Sequence, residues 1–308
     1  MKSLETTPLV SVVMNAYYSE DYLAEAIESV VAQTYANWEI ILWENESSDR
    51  TREISESFND PRIRYFFAAE KVSLYESRMN AFSKARGELV AFLDCDDFWM
   101  PEKLSIQVAV FTDPHCVITC SDFIIQSEGN AVKNGQFRKQ RVATYERQTS
   151  SLFEVAMHYR VGMSSLMVRS KSAKSVWPWP PPAYSKIEDM DMVLRLMTVG
   201  LLAPVAKPLM VYRWHGGNFT LQTNNAIAEL TDWAASIGEL PLSTDEKHLL
   251  MEKFNIDILN LQCHQMLLAG NRSGAWQITQ QMPFNLRRIK WSLKIMMPSR
   301  LFQSVISS

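Results

Sequence analysis

The segment Leu89-Val-Ala-Phe-Leu-Asp94-Cys-Asp96-Asp97 constrains this chain more than any other, because five apolar residues run directly into three carboxylates within four positions. A continuous apolar run of this kind, entered through Ala85-Arg-Gly87-Glu88, reads as a strand of a parallel sheet buried on both faces. The carboxylates then fall at the strand's C-terminal end, which is where open α/β sheets hold their ligands. Like charges this close raise one another's pKa unless a cation neutralises them, so the triplet points to a hard divalent metal and, through it, to a diphosphate. A second reading stays open for Asp97, which can simply cap a helix beginning near Pro101.

The surrounding sequence repeats a β-α order. Val10–Met14 predicts a strand, Tyr22–Val31 a helix, Trp38–Trp43 a strand, Arg50–Phe58 a helix, Arg62–Phe66 a strand and Leu74–Lys84 a helix. Alternation of this kind implies a parallel sheet with right-handed crossovers, and it gathers the loops after Met14, Trp43 and Leu93 along one edge. Lys103–Phe111 predicts a helix and Cys116–Cys120 a strand. Residues 126–147 read as an irregular excursion or a β ribbon, Val161–Val168 as a further strand, Trp177-Pro-Trp-Pro-Pro-Pro182 as a rigid non-helical segment, and Asp189–Val199 as a helix.

From about Ala226 onward the pattern is helical throughout. Near the end, Leu286, Ile289, Leu293, Met296 and Met297 share one arc, with Arg287, Lys290 and Lys294 beside it; from Asn285 to Ser308 there are five basic residues and no acidic one. Such a helix suits an anionic membrane surface, and it equally suits a terminal helix packed on the protein with its charges in water.

At 308 residues and 47% hydrophobic content the chain can bury a substantial core, while a net charge of −3 offers no general attraction to nucleic acid. The cysteines (Cys95, Cys116, Cys120, Cys263) are too scattered for a disulfide framework, which favours a reducing compartment. Neither a signal-peptide core nor a stretch of about 20 apolar residues occurs, so the expected location is cytoplasmic, with peripheral contact at the cytosolic face of the inner membrane.

Taken in order, the motifs resemble the family 2 glycosyltransferases of the GT-A fold. Val10-Ser-Val-Val with Ala16-Tyr17-Tyr18, Ala26-Ile-Glu-Ser-Val-Val-Ala-Gln33-Thr-Tyr35 and Trp38-Glu-Ile-Ile are similar to the family's opening. Glu44-Asn45-Glu-Ser47-Ser-Asp49 stands where the family shows Asp-Asp-Gly-Ser-x-Asp, so that Glu44 replaces an aspartate and Glu46 a glycine. Ser77-Arg78-Met-Asn80 resembles its Ala-Arg-Asn element, Asp94-Cys-Asp96-Asp97 its Asp-x-Asp-Asp signature, Glu188-Asp189 its Glu-Asp pair, and Tyr212-Arg213-Trp-His215-Gly-Gly-Asn218 its Tyr-Arg-x-His element. The resemblance runs from about Pro8 to Asn218 and implies a Rossmann-like, mostly parallel sheet flanked by helices, with a C-terminal helical extension. It implies a catalytic domain over residues 1–222, divided into a nucleotide-sugar half (1–111) and an acceptor half (112–222), and an extension over 223–308.

The implied chemistry is inverting transfer of a sugar from a nucleotide-diphosphate donor to a hydroxyl of a glycan or lipid-linked acceptor, in the making of a cell-envelope polysaccharide or lipopolysaccharide. Breaking the glycosidic bond builds charge on the diphosphate, which Mn²⁺ or Mg²⁺ would neutralise. The expected metal residues are Asp96, Asp94, Asp97 and His215, with Asp94 on the ribose or on metal-bound water; for His215 a hydrogen-bonded loop histidine is the other reading. Donor binding falls to Asn15, Tyr17, Glu44, Asn45, Arg78, Asp94 and Asp96, with Glu44 accepting from a ring N–H and Arg78 on the diphosphate or base, unless Arg78 is a surface arginine. Asp189 is expected as the general base and Glu188 as its orienting partner; both also suit the positive end of the following helix. Trp177, Trp179 and Tyr184 form a sugar platform or a packed wall.

Two other functions compete. A nucleotidyltransferase would show a glycine-rich basic loop after the first strand, where this chain has Asn15-Ala-Tyr-Tyr-Ser-Glu-Asp21, and a dinucleotide oxidoreductase fails for want of Gly-x-Gly-x-x-Gly. A non-catalytic nucleotide-sugar-binding module would have no need of Asp189 beside Asp94 and Asp96.

Overall fold

The structure, a computed structural model, describes residues 7–68, 70–127, 138–140, 151–176, 184, 187–218, 226–283 and 286–296. In chain order these residues form β1 (Val10–Ala16), α1 (Leu23–Val31), β2 (Trp38–Asn45), α2 (Thr51–Ser57), β3 (Ile63–Ala68), α3 (Leu74–Lys84), β4 (Leu89–Asp94), β5 (Phe98–Trp99) and α4 (Lys103–Val110). There follow β6 (Cys116–Thr119), β7 (Ser121–Ser127), β8 (Arg138–Gln140), α5 (Leu152–Met157), β9 (Met167–Arg169), α6 (Ser170–Ser175), α7 (Glu188–Leu196), β10 (Leu201–Leu202) and β11 (Val205–Trp214). The remaining helices are α8 (Ala226–Ala235), α9 (Thr244–Leu268), α10 (Arg272–Gln281) and α11 (Leu286–Met296). The chain divides into two compact units, Met1–Asn218 and Phe219–Ser308.

The first unit is built on a sheet in the order β10-β6-β9-β4-β1-β2-β3, parallel except where β9 runs against β4 and β6. Its central strands are apolar on both faces because both faces are covered: Val10, Val12, Val13 and Met14 of β1 and Leu89 to Leu93 of β4 are buried. Helix α1 contributes Leu23, Ala26, Ile27 and Val30, one stripe at three and four spacing, to the same core. Between α3 and β4 the chain must pass tightly against β1, and Gly87 permits it. A Cβ there would lie 2.6 Å from the carbonyl oxygens of Leu9 and Leu89. Strand order reverses between β1 and β4, so the crevice at their C-terminal ends is the topological switch point where such sheets bind ligands.

Three expectations need correction. Val161–Val168 is not one strand: Met163–Ser165 winds as a 3-10 turn and only β9 is extended. The strand from Cys116 ends at Thr119, after which the chain crosses into a second sheet of order β5-β11-β7-β8. That small sheet escapes periodicity because β11 carries Lys207 and Pro208 where the apolar alternation breaks, and its register shifts on both sides of Pro208. Third, Asp97 caps no helix. The residue at the N-terminus of α4 is Glu102, which makes no side-chain cap. In the ribbon region β8 pairs antiparallel with β7, while Trp177 and Trp179 lie outside the described residues.

The second unit has its own core, in which Cys263 and Leu267 of α9, Ala275 of α10, Met282 and Ile295 of α11 pack with Leu259, Ile278 and Trp291. Ser243 and Glu246 form a capping box that starts the 25-residue α9. Among the described residues no helix is long and apolar enough to cross a membrane.

Candidate active site

The acidic turn after β4 is held from below by the 3-10 turn. Ser164 Oγ accepts from the Asp94 N–H at 3.0 Å and donates to Asp97 Oδ2 at 2.6 Å, and Trp99 Nε1 donates to the Ser164 carbonyl at 2.9 Å. Asp97 also accepts the Arg213 N–H at 3.1 Å, so both of its oxygens face inward and are used. Burial first, then the neighbouring Asp96 and Asp94, hold its pKa well above the ordinary carboxylate value. Asp97 therefore ties β11 to the turn, and its carboxylate does not open toward a ligand as expected of a metal residue.

Asp94 and Asp96 do open outward, with side chains 38% and 28% exposed. Asp94 Oδ1 accepts from Arg78 Nη2 at 2.8 Å. Asp96 Oδ2 lies 3.2 Å from His215 Nε2 and accepts from Asn218 Nδ2 at 3.2 Å. Because the Gly217 N–H donates to His215 Nδ1 at 3.2 Å, Nδ1 is the acceptor and Nε2 carries the proton toward Asp96. Burial and then Asp94 raise the Asp96 pKa, partly offset by His215. The sequence assigned the whole of this neutralisation to a metal; the protein supplies Arg78, His215 and Asn218 for part of it.

Arg78 joins the acidic turn to the second carboxylate pair. It is buried in α3, a helix started by the Ser73–Glu76 capping box, and its Nη1 donates to Glu188 Oε2 at the start of α7. Burial alone would lower its pKa, but Glu188 and Asp94 outweigh that and keep it cationic. Both ends of the guanidinium are thus engaged by carboxylates, and Arg78 is no surface residue. Burial raises Glu188 to about 7 against the opposing pull of Arg78, and burial likewise raises Asp189 to about 7 against the Met190 N–H and Arg78. Asp189 and Asp94 each perturb or are perturbed by the same arginine, so the two acidic pairs form one electrostatic cluster. Glu188 Oε1 is buried with no hydrogen-bond partner among the described residues.

At the edge formed by β1 and β2, the register sets Ala16 beside Glu44 and Asn15 beside Asp94. Glu44 is fully buried; Tyr65 of the adjacent strand donates to its Oε2 at 2.5 Å, and its Oε1 has no partner. The Asn15 amide nitrogen is also buried without a partner. The Asn45 amide clasps the backbone of Val72, donating to the carbonyl at 2.7 Å and accepting the N–H at 2.9 Å. Tyr17 is exposed, and Lys71 donates to its hydroxyl at 2.6 Å while lying 4.3 Å from its ring centroid. Tyr18 and Glu46 both adopt positive φ, 49° and 44°. At Glu46, where the family carries glycine, the Lys71 N–H to its carboxylate at 3.1 Å helps hold the strained turn.

Sequence reasoning missed Tyr65, Lys71 and Ser164, none of which sits in a motif, and gave no role to Arg213 or Asn218 although both lie in the quoted Tyr-Arg-x-His stretch. Arg213 pairs with Glu25 and lies 4.7 Å from the Phe98 ring. No three His, Cys, Asp or Glu side chains among the described residues converge into a cation cage. The outward pair Asp94 and Asp96 suits a hard cation only if it draws most of its ligands from phosphate oxygens and water.

A mostly parallel sheet with an acidic turn at its switch point and a second carboxylate pair facing it defines the GT-A class of nucleotide-sugar transferase folds. The described fold is similar to that of S. aureus TarS 1-349 in complex with UDP-GlcNAc, with a TM-score of 0.67 at 16% identity, covering 89% of this chain and 81% of that one. It is also similar to the mannosyltransferase PcManGT from Pyrobaculum calidifontis in complex with GDP-Man and Mn²⁺, with a TM-score of 0.60 at 13% identity over 98% and 85% of the two chains. Residues 11–174 match the glycosyl transferase family 2 model, and the chain belongs to that family.

Among curated relatives, it is 32% identical over 139 residues to the Escherichia coli UDP-Glc:alpha-D-GlcNAc-diphosphoundecaprenol beta-1,3-glucosyltransferase WfgD, covering 45% of this chain and 54% of WfgD. It is 32% identical over 123 residues to the putative teichuronic acid biosynthesis glycosyltransferase TuaG of Bacillus subtilis, covering 39% and 49%. The matches thus span about half the length of these relatives.

Proposed function

We propose that this chain transfers a sugar, with inversion and with help from Mn²⁺ or Mg²⁺, from a nucleotide-diphosphate donor to a hydroxyl of a lipid-linked or glycan acceptor in cell-envelope polysaccharide assembly. The observation that carries the reading is Arg78, which ties Asp94 of the acidic turn to Glu188 of the second carboxylate pair, an arrangement that suits a donor-side and an acceptor-side carboxylate working together. The names of WfgD and TuaG supply the polysaccharide setting and WfgD the lipid-linked acceptor. Residues 1–222 would carry the reaction in the cytoplasm, at the inner face of the inner membrane, with 223–308 as an accessory unit.

Asp96 and Asp94 would hold the cation, with His215 beside them. A divalent cation there supplies charge neutralisation for the diphosphate leaving group. Glu44 would accept an imino N–H of the nucleotide base at its free Oε1, with Tyr65 fixing the longer side chain in place of the family's aspartate. Tyr17, steadied by Lys71, would lie along the base or ribose. Asp189 would take the acceptor proton. A carboxylate raised to about 7 is basic enough to accept a proton from an alcohol as attack proceeds, and it is about half ionised at neutrality and increasingly so above it. Glu188, locked onto Arg78, would orient it.

The test is a thermal-shift screen of UDP-, GDP-, CDP- and ADP-sugars with and without Mn²⁺. A metal-dependent rise with a UDP- or GDP-sugar, whose bases carry an imino N–H, supports the reading. Indifference to every donor, or preference for CDP or ADP, refutes it.

A further inference from the structure

Helix α11 has two apolar sides, and its own unit covers only one. Trp291 and Ile295 enter the core with Leu259 and Met282, the Trp291 Nε1 donates to Asn260 Oδ1 at 2.8 Å, and Arg288 donates to the Met282 carbonyl at 3.2 Å. These three residues sit at i, i+3 and i+7. At 3.6 residues per turn the opposite side is marked by Leu293 and Met296, which are 58% and 65% exposed. An outward Leu and Met on a charged surface helix are not accounted for by folding of its own unit, since exposing them to water is unfavourable.

Charge indicates what covers it. Lys290 is exposed and Lys294, 5.1 Å from the Trp291 ring centroid, stands on the same flank of the outer pair. No acidic residue follows Asp257 in the sequence, whereas Arg272, Arg287, Arg288, Lys290, Lys294 and Arg300 do. A second protein chain with a matching apolar stripe would need acids of its own. An anionic lipid surface offers both the negative charge and the shallow apolar layer into which a helix lying flat inserts one side.

We infer that the outer face of α11, Leu293 and Met296 flanked by Lys290 and Lys294, is a docking surface for anionic phospholipid. The inner face anchors the helix to its unit, and the outer face lies in the headgroup layer with the lysines reaching the phosphates. The inference does not depend on the glycosyl-transfer reading, since binding is measured without donor or acceptor.

Full-length protein is sedimented with vesicles of phosphatidylcholine alone and with vesicles of equimolar phosphatidylcholine and phosphatidylglycerol. Binding to the mixed vesicles should be roughly tenfold or more stronger and should weaken with salt, because each lysine near such a surface strengthens binding about fivefold. The double variant Leu293→Asp/Met296→Asp should lose roughly tenfold in vesicle binding with an unchanged melting profile, since both side chains are exposed. Lys290→Glu, a substitution on the surface that cannot disturb the core, should lose several-fold at low salt only. Equal binding to both vesicle types, or binding indifferent to both variants, overturns the inference. So does light scattering that finds a dimer dissolved by the double variant while the wild type leaves vesicles unbound.

Discussion

Replacing Arg78 with methionine removes the cation on which the candidate site is built while keeping most of the side chain's volume. Arg78 is buried and joins Glu188 on one side to Asp94 on the other. Breaking a buried ion pair by removing one partner typically costs about 3–5 kcal/mol, because the remaining charge is left uncompensated. Here the cost depends on pH. Glu188 has a folded pKa of about 7, above its ordinary value of 4.5, so the native state binds the extra proton between those values. Its contribution to stability is fully present below the unfolded pKa and is lost as pH rises through about 7.

Without Arg78, nothing opposes the effect of burial, and the folded pKa rises further. Each additional unit costs about 1.4 kcal/mol at a pH where the group must ionise, and nothing where it is already protonated. Arg78→Met should therefore destabilise by about 3–5 kcal/mol at pH 8 and by at least 1 to 2 kcal/mol less at about pH 5.5. Urea unfolding followed by far-UV circular dichroism at the two values measures the difference. Equal destabilisation at both values would refute the argument that Glu188 is the group Arg78 compensates.

Tyr65→Phe leaves the buried Glu44 carboxylate without its hydrogen bond, a loss of about 1.5–3 kcal/mol for a charged acceptor; UDP affinity by calorimetry should fall roughly tenfold or more while inorganic pyrophosphate binding is unchanged. An equal loss for both ligands would place Tyr65 outside base recognition. At Glu46, φ is 44°, so Glu46→Gly relieves the strain that Glu46→Ala retains, and both lose the hydrogen bond to the Lys71 N–H. The glycine variant should be the more stable by about 1 kcal/mol in thermal melts, and alanine equal or better would deny that the turn is strained.

Much of the fold is legible in residue order, and the reason is burial on both faces. Leu89–Leu93 is a continuous apolar run, and Val10–Met14 is one but for the buried Ser11, because both sides of the sheet are covered; a run of that kind has few other uses. The second sheet is not legible. Its strand β11 is interrupted by Lys207 and Pro208, and the two-residue β5 is too short to carry a period. At the candidate site, motif spacing singles out Asp94, Asp96, Glu188 and Asp189, which lie at the end of β4, just beyond it and at the start of α7. The partners of Asp97 and Asn45 are not legible, because only the folded chain brings Ser164 to the one and Val72 to the other. The pairing of Arg78 with Glu188 is not legible in the sequence, since the two lie 110 positions apart.

The central claim is that Asp189 takes the acceptor proton while the acidic turn holds the donor. With the donor that the screen identifies, Asp189→Asn should bind it within about twofold of wild type and lose transfer by at least roughly a hundredfold, the lower end of what a general base contributes. Transfer retained in that variant at wild-type donor affinity would contradict the account.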